Sequence, residues 1–115
     1  MDSTQTETLI MSNGSVYTGE VKDGLPNGQG TMKYANGDVY EGEFKDGKRN
    51  GYGIMKGADG GVYEGEWEEG IPNGQGTMKG ANGNVYEGEW KDGIPYGQCK
   101  YTIDGETVYE YPRWH

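Results

Sequence analysis

Glu20, Glu43, Glu66 and Glu89 recur at a constant spacing of 23 residues, and a pair of carboxylates is what a glycoside hydrolase uses as acid and nucleophile. Such a pair works only when two unlike environments drive the two pKa values apart. These four glutamates repeat one environment, each following a glycine in a near-identical unit. They read better as a solvated face, with Lys33, Lys56 and Lys79 separating neighbouring carboxylates. The remaining reactive side chains are few. His115 is the only histidine and the last residue, and Cys99 is the only cysteine, so neither a nucleophile, base and orienter set nor a zinc cluster can be assembled. Cys99 is expected to be a small packing residue. GQGTMKG (residues 74–80) lacks the spacing of a phosphate loop, and calcium-binding nonapeptides are absent in register. The sequence predicts no catalytic residue, no metal site, no cofactor and no enzyme.

What positions these side chains is a repeat. Tyr17, Tyr40, Tyr63, Tyr86 and Tyr109 stand 23 residues apart, with Val16, Val39, Val62, Val85 and Val108 in step before them. VYEGEW occurs at 62–67 and again at 85–90, with VYEGEF at 39–44 and VYTGEV at 16–21. In register the units are 15–37, 38–60, 61–83 and 84–106, with a half unit at 8–14, a C-terminal cap at 107–115 and a tail at 1–7. Each unit holds two Val, Tyr and Trp-rich or GxG-containing stretches separated by turn signals, which predicts two short strands per unit. Asn36-Gly37, Asp59-Gly60 and Asn82-Gly83 are the expected tight hairpin turns with positive φ. The longer DGLPNG and EGIPNG connections carry a proline expected to lie outside the strands. No segment has a sustained helical apolar period.

Alternation along a strand puts Tyr63, Gly65 and Trp67 on one face, and Val62, Glu64 and Glu66 on the other. On the partner strand Gly74, Gly76 and Met78 form one set, and Gln75, Thr77 and Lys79 form the second. A glycine weakens a strand by about 0.5 to 1 kcal/mol relative to alanine, so glycines at fixed positions call for a packing reason. Rings lying over bare backbone supply it. Gly42, Gly65, Gly88, Gly51, Gly53, Gly74 and Gly76 are therefore expected to be structural.

Composition bounds the partners. The chain has 115 residues, 31% hydrophobic, with 23 glycines and a net charge of -9, too little apolar material for a thick two-layer core. The charge opposes binding to nucleic acid or to an anionic membrane and favours a basic partner. MDSTQTETLI has neither the basic start nor the apolar run of a signal peptide, no disulfide can form within the chain, and no run of ~20 apolar residues occurs. A cytoplasmic protein, peripheral to membrane or cytoskeleton at most, is expected. Asn13-Gly14-Ser15 reads as a turn rather than a glycosylation site.

At Tyr40, Gly42, Phe44, Gly47, Gly51, Gly53 and Gly60, and at Tyr63, Gly65, Trp67, Gly70, Gly74, Gly76 and Gly83, the chain resembles the MORN (membrane occupation and recognition nexus) repeat family, whose pattern is roughly YxGxWxxGxxxGxGxxxxxxG. The resemblance runs from Thr8 to the end. It implies an all-β fold, a single-layer elongated twisted antiparallel sheet of tandem hairpins with a concave aromatic groove. It also implies non-enzymatic scaffold or adaptor work: capture of a partner's peptide or amphipathic helix, or self-association, with a phosphoinositide or membrane-surface module as the alternative. Tyr40, Phe44, Tyr63, Trp67, Tyr86 and Trp90 are the expected ring contacts of that groove, with Met55 and Met78 as adaptable fillers. A lipid-binding role would need a local basic cluster such as Lys45, Lys48 and Arg49. Val21, where other units have Phe or Trp, predicts a weaker wall in the first unit. Cys99 for glycine, Tyr111 for the repeat glycine, and Pro112 predict a terminal cap, while the open sheet edges make a homodimer an expectation as well.

Overall fold

In the computed structural model residues 5–110 are described, with the backbone alone at 5, 97–99 and 108–110. The side chains of Cys99 and Tyr109, the cap signals Tyr111 and Pro112, and the lone histidine His115 lie outside that description. Ten strands follow one another: β1 (Gln5–Ile10), β2 (Val16–Lys22), β3 (Leu25–Lys33), β4 (Val39–Lys45), β5 (Lys48–Lys56), β6 (Val62–Glu68), β7 (Ile71–Lys79), β8 (Val85–Lys91), β9 (Ile94–Ile103) and β10 (Glu106–Glu110). They form one open antiparallel sheet in strict sequence order, so every connection is a hairpin. The fold is the expected all-β sheet, 47 Å in its longest dimension. β1 begins at Gln5, before the expected array start at Thr8.

The turns exchange the roles anticipated for them. Asp23-Gly24, Asp46-Gly47, Glu69-Gly70, Asp92-Gly93 and Asp104-Gly105 are the two-residue turns, with φ of 48 to 52° at the acidic residue and 77 to 90° at the glycine. Positive φ at both positions is the signature of the type I′ hairpin, whose twist matches that of the strands it joins. The Asn-Gly and Asp-Gly dipeptides at 36, 59 and 82 instead sit in five-residue loops. There the side-chain oxygen two residues back accepts the backbone N–H of Asp38, Gly61 or Asn84, each at 3.0 Å. Only the glycine of these loops has positive φ.

Prolines enter the strands. Pro26, Pro72 and Pro95 are the second residues of β3, β7 and β9, contrary to the expectation that they lie outside. The carbonyls of Pro26 and Pro72 accept the N–H of Gly47 and Gly93 in the next turn, at 2.9 and 3.0 Å. Successive hairpin tips are tied together by acceptors that proline keeps. The nitrogen that proline cannot use points, like its carbonyl, away from its own hairpin partner.

The hairpins β2–β3, β4–β5, β6–β7 and β8–β9 also carry a bulge. Gly65 pairs with Gly76 while Trp67 pairs with Pro72, so three residues of β7 face Glu66 alone. The same shift separates Gly42 from Phe44 and Gly19 from Val21. Gly28, Gly51 and Gly74 take φ of 98 to 106° there, a conformation glycine adopts without penalty. The bulge turns Gly74 over: a methyl on it would meet the Glu66 carboxylate, 2.5 Å from Oε2, and one on Gly51 would meet Glu43. Gly51 and Gly74 are thus crowded on the glutamate face rather than, as alternation predicted, on the aromatic one. The freed backbone amides are collected by the repeated glutamates. Glu66 Oε2 accepts Gln75 N–H at 2.5 Å, Glu43 Oε1 accepts Tyr52 N–H at 2.9 Å, and Glu20 accepts Gln29 N–H. The glutamate of each of these units thus has a structural partner in an exposed backbone amide.

Candidate functional site

One face of the sheet carries a ladder of rings in edge-to-face contact. Along it, Tyr17, Phe44, Tyr40, Trp67, Tyr63 and Trp90 follow with centroid separations of 5.0, 5.0, 5.3, 5.1 and 5.3 Å and interplanar angles of 82 to 86°. Each such pair is worth about 0.5 to 1.5 kcal/mol beyond the area it buries. Tyr86 makes its own edge contact with Tyr101, at 4.9 Å. Val21 leaves Tyr17 with a single ring neighbour, Phe44, as its smaller side chain predicts.

The glycines make this stack fit. A methyl on Gly53 would lie 2.1 Å from the Tyr40 hydroxyl oxygen, and one on Gly76 would lie 2.2 Å from that of Tyr63. The ring of one strand thus covers the bare backbone of the next. On Gly42 and Gly65 an added methyl would strike the Cα of Gly53 and Gly76 at 2.4 and 2.5 Å, so two backbones approach where neither carries a side chain. Gly88 occupies the same register opposite Cys99. The polar tips of the rings are tied down as well. The hydroxyls of Tyr17, Tyr40 and Tyr63 donate to the carbonyls of Glu20, Glu43 and Glu66 at 2.6, 2.9 and 3.1 Å. The indole N–H groups of Trp67 and Trp90 donate to Gly53 and Gly76 carbonyls, both at 3.1 Å.

The expected groove residues therefore fall into two groups. Tyr40, Phe44, Tyr63, Trp67 and Trp90 are 0 to 6% exposed; they are the core of this thin sheet, and only their edges reach its surface. Tyr86, Met55 and Met78 are half-buried against that core. Met55 and Met78, with Tyr63, floor an open trough of about 520 Å³ beside the five-residue loops. Ala58 and Ala81 wall it, and Asp38 and Asp59 bring carboxylates to it. Asp38 and the loop residues of this trough carried no signal in the strand alternation, which addresses only the strands.

Packing withdraws one cation from the basic cluster, while Lys45 and Lys48 stay exposed. Arg49 lies with its guanidinium carbon 5.0 Å from the Trp67 ring centroid and 5.5 Å from that of Tyr34. Nη1 donates to the Tyr34 hydroxyl at 3.1 Å and Nη2 to the Gly70 carbonyl at 2.6 Å. Of the three cations named for a lipid site, Arg49 is committed inside the chain. Among the described residues no group of three His, Cys, Asp or Glu side chains is placed to hold a metal ion.

Burial raises the phenols. Tyr17 and Tyr63 are pushed up to about 12 by desolvation, with the Glu20 and Glu66 charges adding to it, and Tyr40 is raised mainly by desolvation against the opposing pull of Arg49. A phenol ordinarily ionises near ~10. The folded state thus holds these groups neutral, and their contribution is complete below pH ~10 and lost as pH climbs towards ~12. A pH titration followed by near-ultraviolet circular dichroism should show one cooperative loss of aromatic signal in that window, coincident with tyrosinate absorbance. Ionisation of every tyrosine there, the buried Tyr17, Tyr40 and Tyr63 included, with the aromatic signal intact would contradict the ring packing.

No curated protein matches the chain in a sequence comparison. The MORN repeat profile matches it four times in tandem, at residues 17–39, 40–62, 63–85 and 86–107, and those blocks begin at the four tyrosines that lie over glycine backbone or edge against the next ring. On this repeated ring, glycine and hairpin unit, the chain belongs to the MORN repeat family, a family of non-enzymatic repeats that serve in protein and membrane interaction.

Proposed function

We propose that this protein is a protein-binding scaffold that holds a segment of a partner protein against the aromatic face of its sheet. The observation that carries the reading is the trough over Met55, Met78 and Tyr63, an apolar depression on a face whose rings are otherwise closed over one another. Ligand sites combine a mostly apolar lining with a few polar groups at the rim, as here. Methionine adapts its shape to what it meets. The net charge of -9 favours a basic partner surface. Membrane-surface targeting is less well supported, since Arg49 is occupied by Tyr34, Trp67 and Gly70. The protein is proposed to act in the cytoplasm, as its composition suggests.

A photo-crosslinking residue placed at Ala58 or Ala81, both exposed, tests the reading in the source cell. Discrete adducts with another protein are expected from these sites and not from Glu87, an exposed residue of the glutamate face. Equal adducts from both faces, or adducts with lipid alone, would refute it.

A further inference from the structure

The trough exists because two units lack a side chain that earlier units supply. Residues 11, 34, 57 and 80 are equivalent within the 23-residue period, and they are Met11, Tyr34, Gly57 and Gly80. Met11 and Tyr34 fold back onto the aromatic core. The Tyr34 ring is held there under the Arg49 guanidinium. At Gly57 and Gly80 nothing fills the equivalent space, and both glycines line the trough.

The acidic residues of the trough are departures from the repeat too. Asp38 stands where other units have Ser15, Gly61 and Asn84, and Asp59 where they have Asn13, Asn36 and Asn82. Neither charge is needed for the backbone bonds of the loops, although Asp38 Oδ2 also accepts the exposed Asn36 Nδ2 at 3.2 Å. Asp59 Oδ1 accepts Gly61 N–H at 3.0 Å just as the amide oxygens of Asn36 and Asn82 accept their own partners at 3.0 Å. Asp38 Oδ1 accepts Ala58 N–H at 2.8 Å, which an asparagine oxygen would also do. In a chain of near-copies, an opened cavity and two surplus carboxylates thus coincide at one place.

We propose that this trough receives an aromatic side chain flanked by lysine or arginine, presented by a partner protein. The partner's ring takes the place that Tyr34 fills from within the chain one unit earlier, and its cations meet Asp38 and Asp59. Where Arg49 clasps Tyr34, the equivalent residue one unit on is Pro72, so the chain itself supplies no cation there. The proposal rests on the protein-binding reading and gives it a ligand chemistry.

The test is a titration of the isotope-labelled full chain with three capped tripeptides, Arg-Tyr-Arg, Glu-Tyr-Glu and Arg-Ala-Arg, followed by amide resonances. Saturable shifts at Gly57, Ala58, Gly80 and Ala81 are expected with Arg-Tyr-Arg at millimolar concentration, and binding about 10-fold or more weaker with the other two. Gly57→Tyr and Gly80→Tyr fill the trough from within. Neither glycine has a left-handed φ, and the closest atom to an added Cβ is the Asp59 or Asn82 side-chain oxygen, at 2.7 and 2.9 Å, with backbone no nearer than the Gly61 and Asn84 carbonyls at 3.4 and 3.8 Å. Both variants should keep dispersed spectra and lose the shifts. Asp38→Asn with Asp59→Asn, which keeps the bonds from Ala58 and Gly61 N–H and gives up only the exposed one from Asn36 Nδ2 to Asp38 Oδ2 at 3.2 Å, should weaken Arg-Tyr-Arg about 10-fold and flatten its salt dependence.

Absence of shifts at these amides up to ~10 mM, equal shifts with Glu-Tyr-Glu, or unchanged binding by the filled or neutralised variants would each overturn the proposal. A dimer in solution that Gly57→Tyr and Gly80→Tyr dissociate would assign the trough to a second copy and overturn it as well. So would anionic vesicles that bind the chain and not those variants. If the peptides fail while adducts at Ala58 and Ala81 persist, the scaffold reading stands and only this ligand chemistry falls.

Discussion

Gly76→Ala is expected to destabilise the protein by about 3 kcal/mol or more and Gly53→Ala by a similar amount, while Gly61→Ala should stay within about 0.5 kcal/mol. The methyl at 76 would stand 2.2 Å from the Tyr63 hydroxyl oxygen and 2.5 Å from Cζ, so the ring must leave. It has nowhere to go. Trp67 edges it at 5.1 Å and Trp90 at 5.3 Å, and its hydroxyl is bonded to the Glu66 carbonyl. Moving it gives up that hydrogen bond, about 0.5 to 1.5 kcal/mol, and two edge contacts besides the strain of overpacking. Gly61 has no atom closer than 3.4 Å to an added methyl and no left-handed φ, and its equivalents Ser15, Asp38 and Asn84 all carry side chains. In an array each unit touches only its neighbours, so a central fault should also separate the two ends. Thermal unfolding is the measurement, and at ~4 °C or more per kcal/mol the drop for Gly76→Ala should exceed ~12 °C. Tyr63→Phe in the same chain should recover part of the loss, since the nearest clashing atom goes, and a double-mutant cycle reads that coupling. A Gly76→Ala protein melting within a few degrees of the parent would mean that ring-over-glycine packing does not hold the sheet.

That packing was legible in the sequence because it is a matter of period. Two side-chain periods, one of 2 within a strand and one of 23 between units, place Tyr63 and Gly76 on the same face once the hairpin register pairs Tyr63 with Met78. The expectation that Gly74 shares that face failed for the same reason in reverse. Alternation assumes an unbroken ladder, and the bulge at Glu66 lets Gly74 point to the other side. The turns were misassigned because Asn-Gly and Asp-Gly are both compatible with a type I′ turn. The strand register decides between them, and it places Asp23-Gly24, Asp46-Gly47, Glu69-Gly70, Asp92-Gly93 and Asp104-Gly105 at the two-residue connections and Asp59-Gly60 in a five-residue loop. The site was half legible. Met55 and Met78 follow from alternation, but a trough is defined by what is missing, and glycines at 57 and 80 read as turn residues until Tyr34 is seen filling the same position. Arg49 looked like a free cation because sequence distance hides Tyr34 and Trp67, which stack on it from other hairpins.

The ring ladder also fixes what a test of the aromatic residues can measure. Trp67→Ala removes a ring 6% exposed and should destabilise by about 3 to 5 kcal/mol, the range for deleting a buried large aromatic. Combining it with Trp90→Ala should leave no folded sheet in which binding could be assayed, so lost binding in such a variant would report unfolding. Phenylalanine is the informative replacement, because Phe44 already fills this position between Tyr17 and Tyr40 at 5.0 Å from each. Both tryptophans surrender an indole hydrogen bond of 3.1 Å on that change, to Gly53 and Gly76. Trp67 alone also surrenders Arg49, 5.0 Å above its ring, because the residue equivalent to Arg49 beneath Trp90 is Pro72. Trp67→Phe is therefore expected to destabilise by about 0.5 to 1 kcal/mol more than Trp90→Phe, the worth of a partly exposed cation and ring contact. Denaturant unfolding with unchanged slope gives the two values. The excess should disappear when Arg49 is first replaced by proline, as units 15–37 and 61–83 have it. Equal losses for the two tryptophans in the parent chain would show that the guanidinium contributes nothing to the ladder and leave Arg49 available to an outside ligand.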